Sequence, residues 1–333
     1  MQTRRIVFMA SDPIALPALE WSNAPDNGLE LVAVFTQPDR RVGRGKKLTP
    51  NEVKIWAEAK NIQVHQPERL GAETVRWFRE QSIDLCLVMA YGHFLKQDLL
   101  DAPSYGTLNL HGSILPSYRG ACPVEASILD GLTETGVSLM RLVKKMDAGP
   151  VVDVEKIPIY PDDTAPILRT RMAHACPALL DRALSRVFDG TAPLDEQDHK
   201  SASFVRRLFK ADGIIDFSLS AQEIERRSRA FSPWPGTVIR FGDDNIKVEG
   251  VKIGRGIDAT AGTVIETDPG LGIQCGEDAI FPQKLQRPGG KMLPTKDFLN
   301  GYNLTVGMRA NWVPSEPVIT AQPYGYTQVR NTQ

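Results

Sequence analysis

Ile6-Val7-Phe8-Met9-Ala10 runs without a break into Ser11-Asp12-Pro13. Five successive apolar residues are the pattern of a strand buried on both faces. Ser11-Asp12-Pro13 then supplies an N-cap candidate with proline in the first turn, and predicts a helix through about Trp21. The same rhythm continues outward. Leu29 to Thr36 predicts a second strand, a loop runs to Thr49-Pro50, and a helix follows to about Lys60. Further helices are expected at Glu73 to Gln81, Ala121 to Asp130 and Pro166 to Val187. Further strands are expected at Ile83 to Met89, Gly106 to His111 and Gly136 to Val143. This βαβ alternation predicts an α/β domain with a doubly wound, mostly parallel sheet covered on both faces.

The texture changes after Asp189. Gly190 to Ser203 is polar and reads as a linker. Beyond it, short runs recur between glycines: Gly236 to Phe241, Ile246 to Val251, Gly262 to Ile265, Gly272 to Cys275 and Ala279 to Leu285. Their close spacing predicts a small antiparallel C-terminal β-barrel domain, preceded by a helix at Ala221 to Ala230. The expected division is a catalytic domain over 1–189, a linker over 190–205, a barrel over 206–313 and a flexible tail over 314–333. At 333 residues the chain is long enough for two such cores.

A net charge of −1 exerts no overall pull on polyanions, so any nucleic-acid contact must come from a local patch. The 16 Lys/Arg and 14 Asp/Glu from Arg206 onward make the barrel nearly neutral as well. Cys86, Cys122, Cys176 and Cys275 are far apart and show no metal-ligand spacing, which predicts neither a zinc site nor a disulfide framework. The apolar run Ile6 to Ala10 is too short for a secretory signal and no 18-residue apolar segment follows, so a cytoplasmic location is expected.

Asn109-Leu110-His111 closes an apolar run and opens onto Gly112-Ser113-Ile114-Leu115-Pro116-Ser117-Tyr118-Arg119-Gly120. Alternation along a strand sends Asn109 and His111 to one face. The loop places them at a strand end, where open α/β sheets keep their ligands. Asp147 lies in a turn 36 residues after His111, about one crossover unit, so a neighbouring parallel strand would bring it to the same sheet edge. Taken singly, each residue has a structural reading: an Asx-turn for Asp147, a strand-end hydrogen bond for Asn109, a satisfied histidine for His111. Together at one edge they suit a reaction in which a carbonyl oxygen gains charge while a proton moves. Arg40, Arg41, Arg44, Lys46 and Lys47 place five cations in eight positions around two glycines. That reads either as a solvated face or as a mobile clamp for a phosphate backbone.

The Asn109-x-His111 pair, the Ser113-Ile114-Leu115-Pro116-x-Tyr118-Arg119-Gly120 loop and Asp147, all in register, resemble the folate-dependent formyltransferase family. Phe35-Thr36-Gln37-Pro38-Asp39-Arg40, Gly43-Arg44-Gly45-Lys46-Lys47-Leu48 and Arg229-Ala230-Phe231-Ser232-Pro233-Trp234-Pro235-Gly236 resemble, within that family, members acting on initiator tRNA. The likeness runs from about Arg4 to about Tyr302. It implies a Rossmann-like catalytic domain and an OB-like barrel. It implies transfer of a formyl group from 10-formyltetrahydrofolate to the free methionine amine of initiator methionyl-tRNA, through a tetrahedral intermediate, in a monomer without metal. By the same resemblance Asn109, His111 and Asp147 are the catalytic trio. Asn109 would donate to the oxyanion, His111 would stabilise charge or move the proton, and Asp147 would favour the imidazolium. Ser113, Ile114, Leu115 and Pro116 resemble the tetrahydrofolate-binding segment, and Ala90, Tyr91, Gly92 and Leu95 the stretch that walls the pterin. The basic run at 40–47 is placed at the acceptor stem, with Arg206 and Arg207 along the tRNA path.

The sequence departs from the family pattern at Ala10-Ser11-Asp12, where many relatives carry a glycine, at Cys122 and at Phe217. A sugar-nucleotide N-formyltransferase would share the trio but would not need the basic run. A nucleotide-binding dehydrogenase is excluded by the absence of a G-x-G-x-x-G turn after the first strand.

Overall fold

A computed structural model describes residues 3–42, 45, 47–267 and 270–323. The chain divides into two compact units. The first comprises residues up to Gly120, Glu134–Pro158 and Arg169–Ser203; the second comprises Ala121–Thr133, Ile159–Leu168 and Phe204 onward. This spatial division differs from the contiguous one expected from sequence. Residues 121–133 and 159–168 pack in the second unit, and of the stretch read as a linker residues 190–203 pack in the first.

The first unit is built on a seven-stranded sheet. Its strands are β1 (Arg4–Ala10), β2 (Leu29–Phe35), β3 (Gln63–His65), β4 (Leu85–Met89), β5 (Thr107–His111), β6 (Glu134–Arg141) and β7 (Val151–Pro158), in the spatial order β7-β6-β5-β4-β1-β2-β3. The five strands from β5 to β3 are parallel, and β6 and β7 add antiparallel to β5. In β1 the residues Ile6 to Ala10 are fully buried, as an uninterrupted apolar run in a covered sheet requires. Asp12 caps the turn after β1, its carboxylate accepting from the Ile14 N–H at 2.9 Å. Asn51 does the same for the helix Glu52–Ala59 through the Lys54 N–H.

Two strand expectations are corrected. The strand Val151–Pro158 is not among those expected, because Asp153, Glu155 and Lys156 interrupt its apolar pattern. The expected strand near 136–143 is Glu134–Arg141, and it runs antiparallel to β5, with His111 opposite Ser138 and Leu108 opposite Arg141. A parallel crossover therefore does not carry Asp147 to His111. Instead residues 142–150 fold back along the sheet. Arg41 and Leu48 pair across a short hairpin, Arg40–Val42 with Lys47–Thr49, where a loop was expected. Arg44 and Lys46 lie outside the described residues.

In the second unit the strands Thr237–Phe241, Asp244–Gly254, Val264–Thr267, Gly270–Gln274 and Ala279–Gln286 form an antiparallel half-barrel. Its core includes Phe217, Ile224, Ile239, Ile246, Ile273 and Ile280. The helix Ala221–Ala230 starts in a capping box, Ser220 with Glu223. The expectation of a frayed tail does not hold for residues 314–323. Ile319–Thr320 pairs antiparallel with Phe204–Val205, and the Ser315 N–H donates to Asp216 at 2.7 Å. Residues 324–333 lie outside the described residues. Among the described residues no helix is long and apolar enough to cross a membrane.

Candidate active site

Strand β5 presents alternate faces. Leu108 and Leu110 are buried on one, and Asn109 and His111 share the other at the strand's end. The His111 Nε2–H donates to the Tyr118 carbonyl at 3.0 Å; because a carbonyl can only accept, this contact places the proton of the neutral ring on Nε2. Nδ1 then faces the Asp147 carboxylate, 3.8 Å from Oδ2. That separation is too long for a hydrogen bond but short for a charge contact, so Nδ1 can take up a proton beside an anion. The Asn109 side chain makes no hydrogen bond with any of the described residues, which leaves its amide available.

Asp147 is fixed from two sides. Its Oδ2 accepts the Gly120 N–H at 2.8 Å, and its backbone carbonyl accepts from Gln197 at 2.9 Å. Its φ is +48°, Tyr118 has φ +58° and Gly120 φ +119°, so the residues bracketing the imidazole sit in left-handed conformations. Such backbones cost roughly 1–3 kcal/mol at each non-glycine position and persist only where the surroundings hold them. Gly149 is required by close approach, since a Cβ there would lie 2.0 Å from the Arg141 carbonyl oxygen.

The loop after β5 is organised by Ser138. Its hydroxyl donates to the Ser113 carbonyl at 2.7 Å and accepts the Leu115 N–H at 3.1 Å. The Ser113 hydroxyl in turn donates to the Ser117 carbonyl at 2.6 Å, so Ser113 offers its side chain inward. Ile114 and Pro116 are half-buried and Leu115 is buried. In the second expected folate segment, Ala90 and Gly92 are exposed. The Tyr91 carbonyl accepts from Ser11 and from Gln37, each at 3.1 Å. The Tyr91 phenol is buried without a partner, and burial pushes its pKa up. Leu95 belongs to the apolar core with Val7, Met9 and Leu99 rather than to a surface wall.

Three residues that sequence reasoning gave no role converge here: Ser138, Arg119 and Gln197. Arg119 is 1% exposed, and its guanidinium donates to Gln197 Oε1 and to His199 Nδ1 at 2.9 Å. Burial lowers its pKa, and the Asp147 charge pulls the other way. The only sequence signal was the presence of Arg119 in the Ser113–Gly120 motif.

The expected tRNA contacts divide. Arg40, Arg41 and Lys47 are exposed on the hairpin, and Arg40 donates to Gln37 Oε1 at 2.5 Å. Arg207 is exposed. Arg206 is not available to a phosphate: it is 8% exposed, forms a bidentate pair with Asp212 at 2.8 and 2.6 Å, and donates to the carbonyls of Glu316 and Pro317. The expectation for Arg206 is corrected on that ground. Among the described residues no three His, Cys, Asp or Glu side chains come together as a metal cluster.

A family profile described as formyl transferase matches residues 4–184, and one described as formyl transferase, C-terminal domain, matches residues 207–303. A methionyl-tRNA formyltransferase of Halorhodospira halophila is 37% identical over 317 residues, covering 94% of this chain and 99% of the relative. One of Acidiphilium cryptum is 39% identical over 307 residues, covering 92% and 99%. Among solved structures, an N-formyltransferase from Helicobacter canadensis in complex with folinic acid and dTDP-3-aminofucose superposes with a TM-score of 0.61. That alignment covers 86% of this chain and 100% of the other at 19% identity, a likeness of fold alone.

Proposed function

This chain belongs to the formyl transferase family, and on that premise we propose that Asn109, His111 and Asp147 carry out its transfer of a formyl group to the methionine amine of initiator methionyl-tRNA. The donor is 10-formyltetrahydrofolate, which supplies the formyl carbon on a nitrogen that can leave. Asn109 directs its free amide N–H at the formyl oxygen as that oxygen turns anionic; loss of one such donor costs about 2.7–4 kcal/mol of barrier. His111, oriented by the Tyr118 carbonyl, receives at Nδ1 the proton shed by the attacking amine and returns it to the departing folate nitrogen. Asp147 holds the transient imidazolium by charge from 3.8 Å. The new bond joins the methionine nitrogen to the formyl carbon, the bond to the folate nitrogen breaks, and the proton moves from the first nitrogen to the second.

The observation that supports this most is the His111 to Asp147 approach, with the carboxylate pinned by the Gly120 N–H, at the strand end that carries Asn109. The folate segments would act through shape and main-chain groups: their side-chain hydroxyl at Ser113 is already committed, and Leu95 serves the core. The exposed cations Arg40, Arg41, Lys47 and Arg207 are the described residues suited to the tRNA backbone. The test pairs two acceptors with formylated folate, methionyl-tRNA and an amino-sugar nucleotide, and follows which amine is formylated. Formylation of methionyl-tRNA is expected. Asn109→Ala, His111→Ala and Asp147→Ala should each lose about a hundredfold or more in turnover with the fold intact by circular dichroism. Near-normal turnover in all three would remove the assignment.

A further inference from the structure

We propose that Gln197 is a positioning residue for formyl transfer, holding Asp147 and Arg119 in one arrangement; this rests on the role assigned to Asp147 above. A carboxamide has two donor hydrogens and two acceptor lone pairs, and Gln197 uses all four. Its Oε1 accepts from Arg119 Nε at 3.1 Å and Nη2 at 2.6 Å. Its Nε2 donates to the backbone carbonyls of Asp147 at 2.9 Å and Gly149 at 2.7 Å. The side chain is only 8% exposed, and two residues earlier Asp195 exchanges both backbone hydrogen bonds with Val151 at 2.9 Å, which anchors the segment.

These bonds close a ring. Gln197 grips the guanidinium of Arg119; the next residue, Gly120, grips the Asp147 carboxylate at 2.8 Å; and Gln197 grips the Asp147 backbone from the other side. The carboxylate oxygen held in this ring is the one that faces His111 Nδ1. Flipping the amide would set its oxygen against two carbonyls and its hydrogens against a guanidinium, so only one orientation fits. Glutamate would keep the acceptor for Arg119 but lose both donors and add a negative charge beside Asp147. The residue type is therefore specified by the two carbonyls, not by Arg119 alone. Without those donors, the turn from 142 to 150 loses the grip that keeps Asp147 in its left-handed conformation.

The experiment compares wild type, Gln197→Met, Gln197→Glu, Asp147→Asn and the Asp147→Asn/Gln197→Met double variant in steady-state formylation of methionyl-tRNA, with melting curves on each. Gln197→Met should lower kcat by about 10–100-fold, with both KM values changed by no more than about twofold. Gln197→Glu, which retains the Arg119 acceptor but loses both donors, should lower kcat at least as far, and its melting curve separates that loss from unfolding. The double variant should be no slower than Asp147→Asn, because Gln197 acts through Asp147. Unchanged kcat in both Gln197 variants, or effects that multiply in the double variant, would overturn the proposal while leaving the role of Asp147 standing. A near-normal Asp147→Asn would instead overturn the reading beneath it.

Discussion

At the scale of single residues, charge near the expected polyanion path divides into cations that serve the solvent side and one that serves the protein. Arg206 is the latter. Removing one partner of a buried ion pair leaves the other charge uncompensated, so Arg206→Ala should cost about 3–5 kcal/mol in denaturant unfolding. Arg207→Ala, at an exposed position, should fall within about 0.5 kcal/mol of wild type. Equal stabilities for the two variants would show that the Asp212 pair carries no weight. The contrast also shows what residue types in a sequence can say. Asn109, His111 and Asp147 stand out because an amide, an imidazole and a carboxylate near a strand end have few idle reasons to be there. Ser138 and Gln197 do not stand out. A serine in an apolar strand and a glutamine in a polar segment acquire meaning only when tertiary register sets them against Leu115 and Asp147.

At the scale of elements, the edge of the first sheet carries a titratable group. His65 ends β3, stacks on Phe35 with ring centroids 4.5 Å apart and meets Trp77 at 4.6 Å. Burial lowers its pKa below the ordinary 6.5. The unfolded chain therefore binds the proton first as pH falls. The stability from the neutral, stacked ring is fully present above pH 6.5 and declines as the pH drops below it toward the depressed value. His65→Phe keeps the stack and removes the titration. Its melting temperature should fall less than that of wild type between pH 7.5 and 5, and parallel curves would refute the assignment. The elements most legible in sequence were those with unbroken apolar runs, β1, β2, β4 and β5. β7 was hidden because Asp153, Glu155 and Lys156 put charges on both of its faces and break the apolar alternation, and the direction of β6 was hidden because a strand's apolar pattern is the same whichever way it runs. His111 and Asp147 were thus paired correctly in space for the wrong topological reason. The turn 142–150 reaches back along an antiparallel strand instead of following a parallel one.

At the scale of the whole molecule, a net charge of −1 means that attraction to tRNA must come from patches and not from the protein's overall field. The hairpin Arg40–Val42 with Lys47–Thr49, with Arg40, Arg41 and Lys47 exposed, is the patch we propose for that contact. Arg41→Ala with Lys47→Ala should raise KM for methionyl-tRNA and spare KM for the folate donor. It should also flatten the logarithmic salt dependence by roughly 0.9 for each phosphate that the variant no longer neutralises. An unchanged tRNA KM would exclude the hairpin from the interface.

The pairing of Phe204–Val205 with Ile319–Thr320, and the grip of Arg206 on the carbonyls of Glu316 and Pro317, have a bearing on biosynthesis. The strand that opens the last stretch of the second unit takes one of its neighbours from more than a hundred residues downstream. While the ribosome is still making the half-barrel, Phe204 and the guanidinium of Arg206 have no finished seat. The first unit, whose last segment ends at Ser203, has by then left the exit tunnel with every piece it needs. The seat of Phe204 and Arg206 is therefore complete only once residues 316–320 have been made.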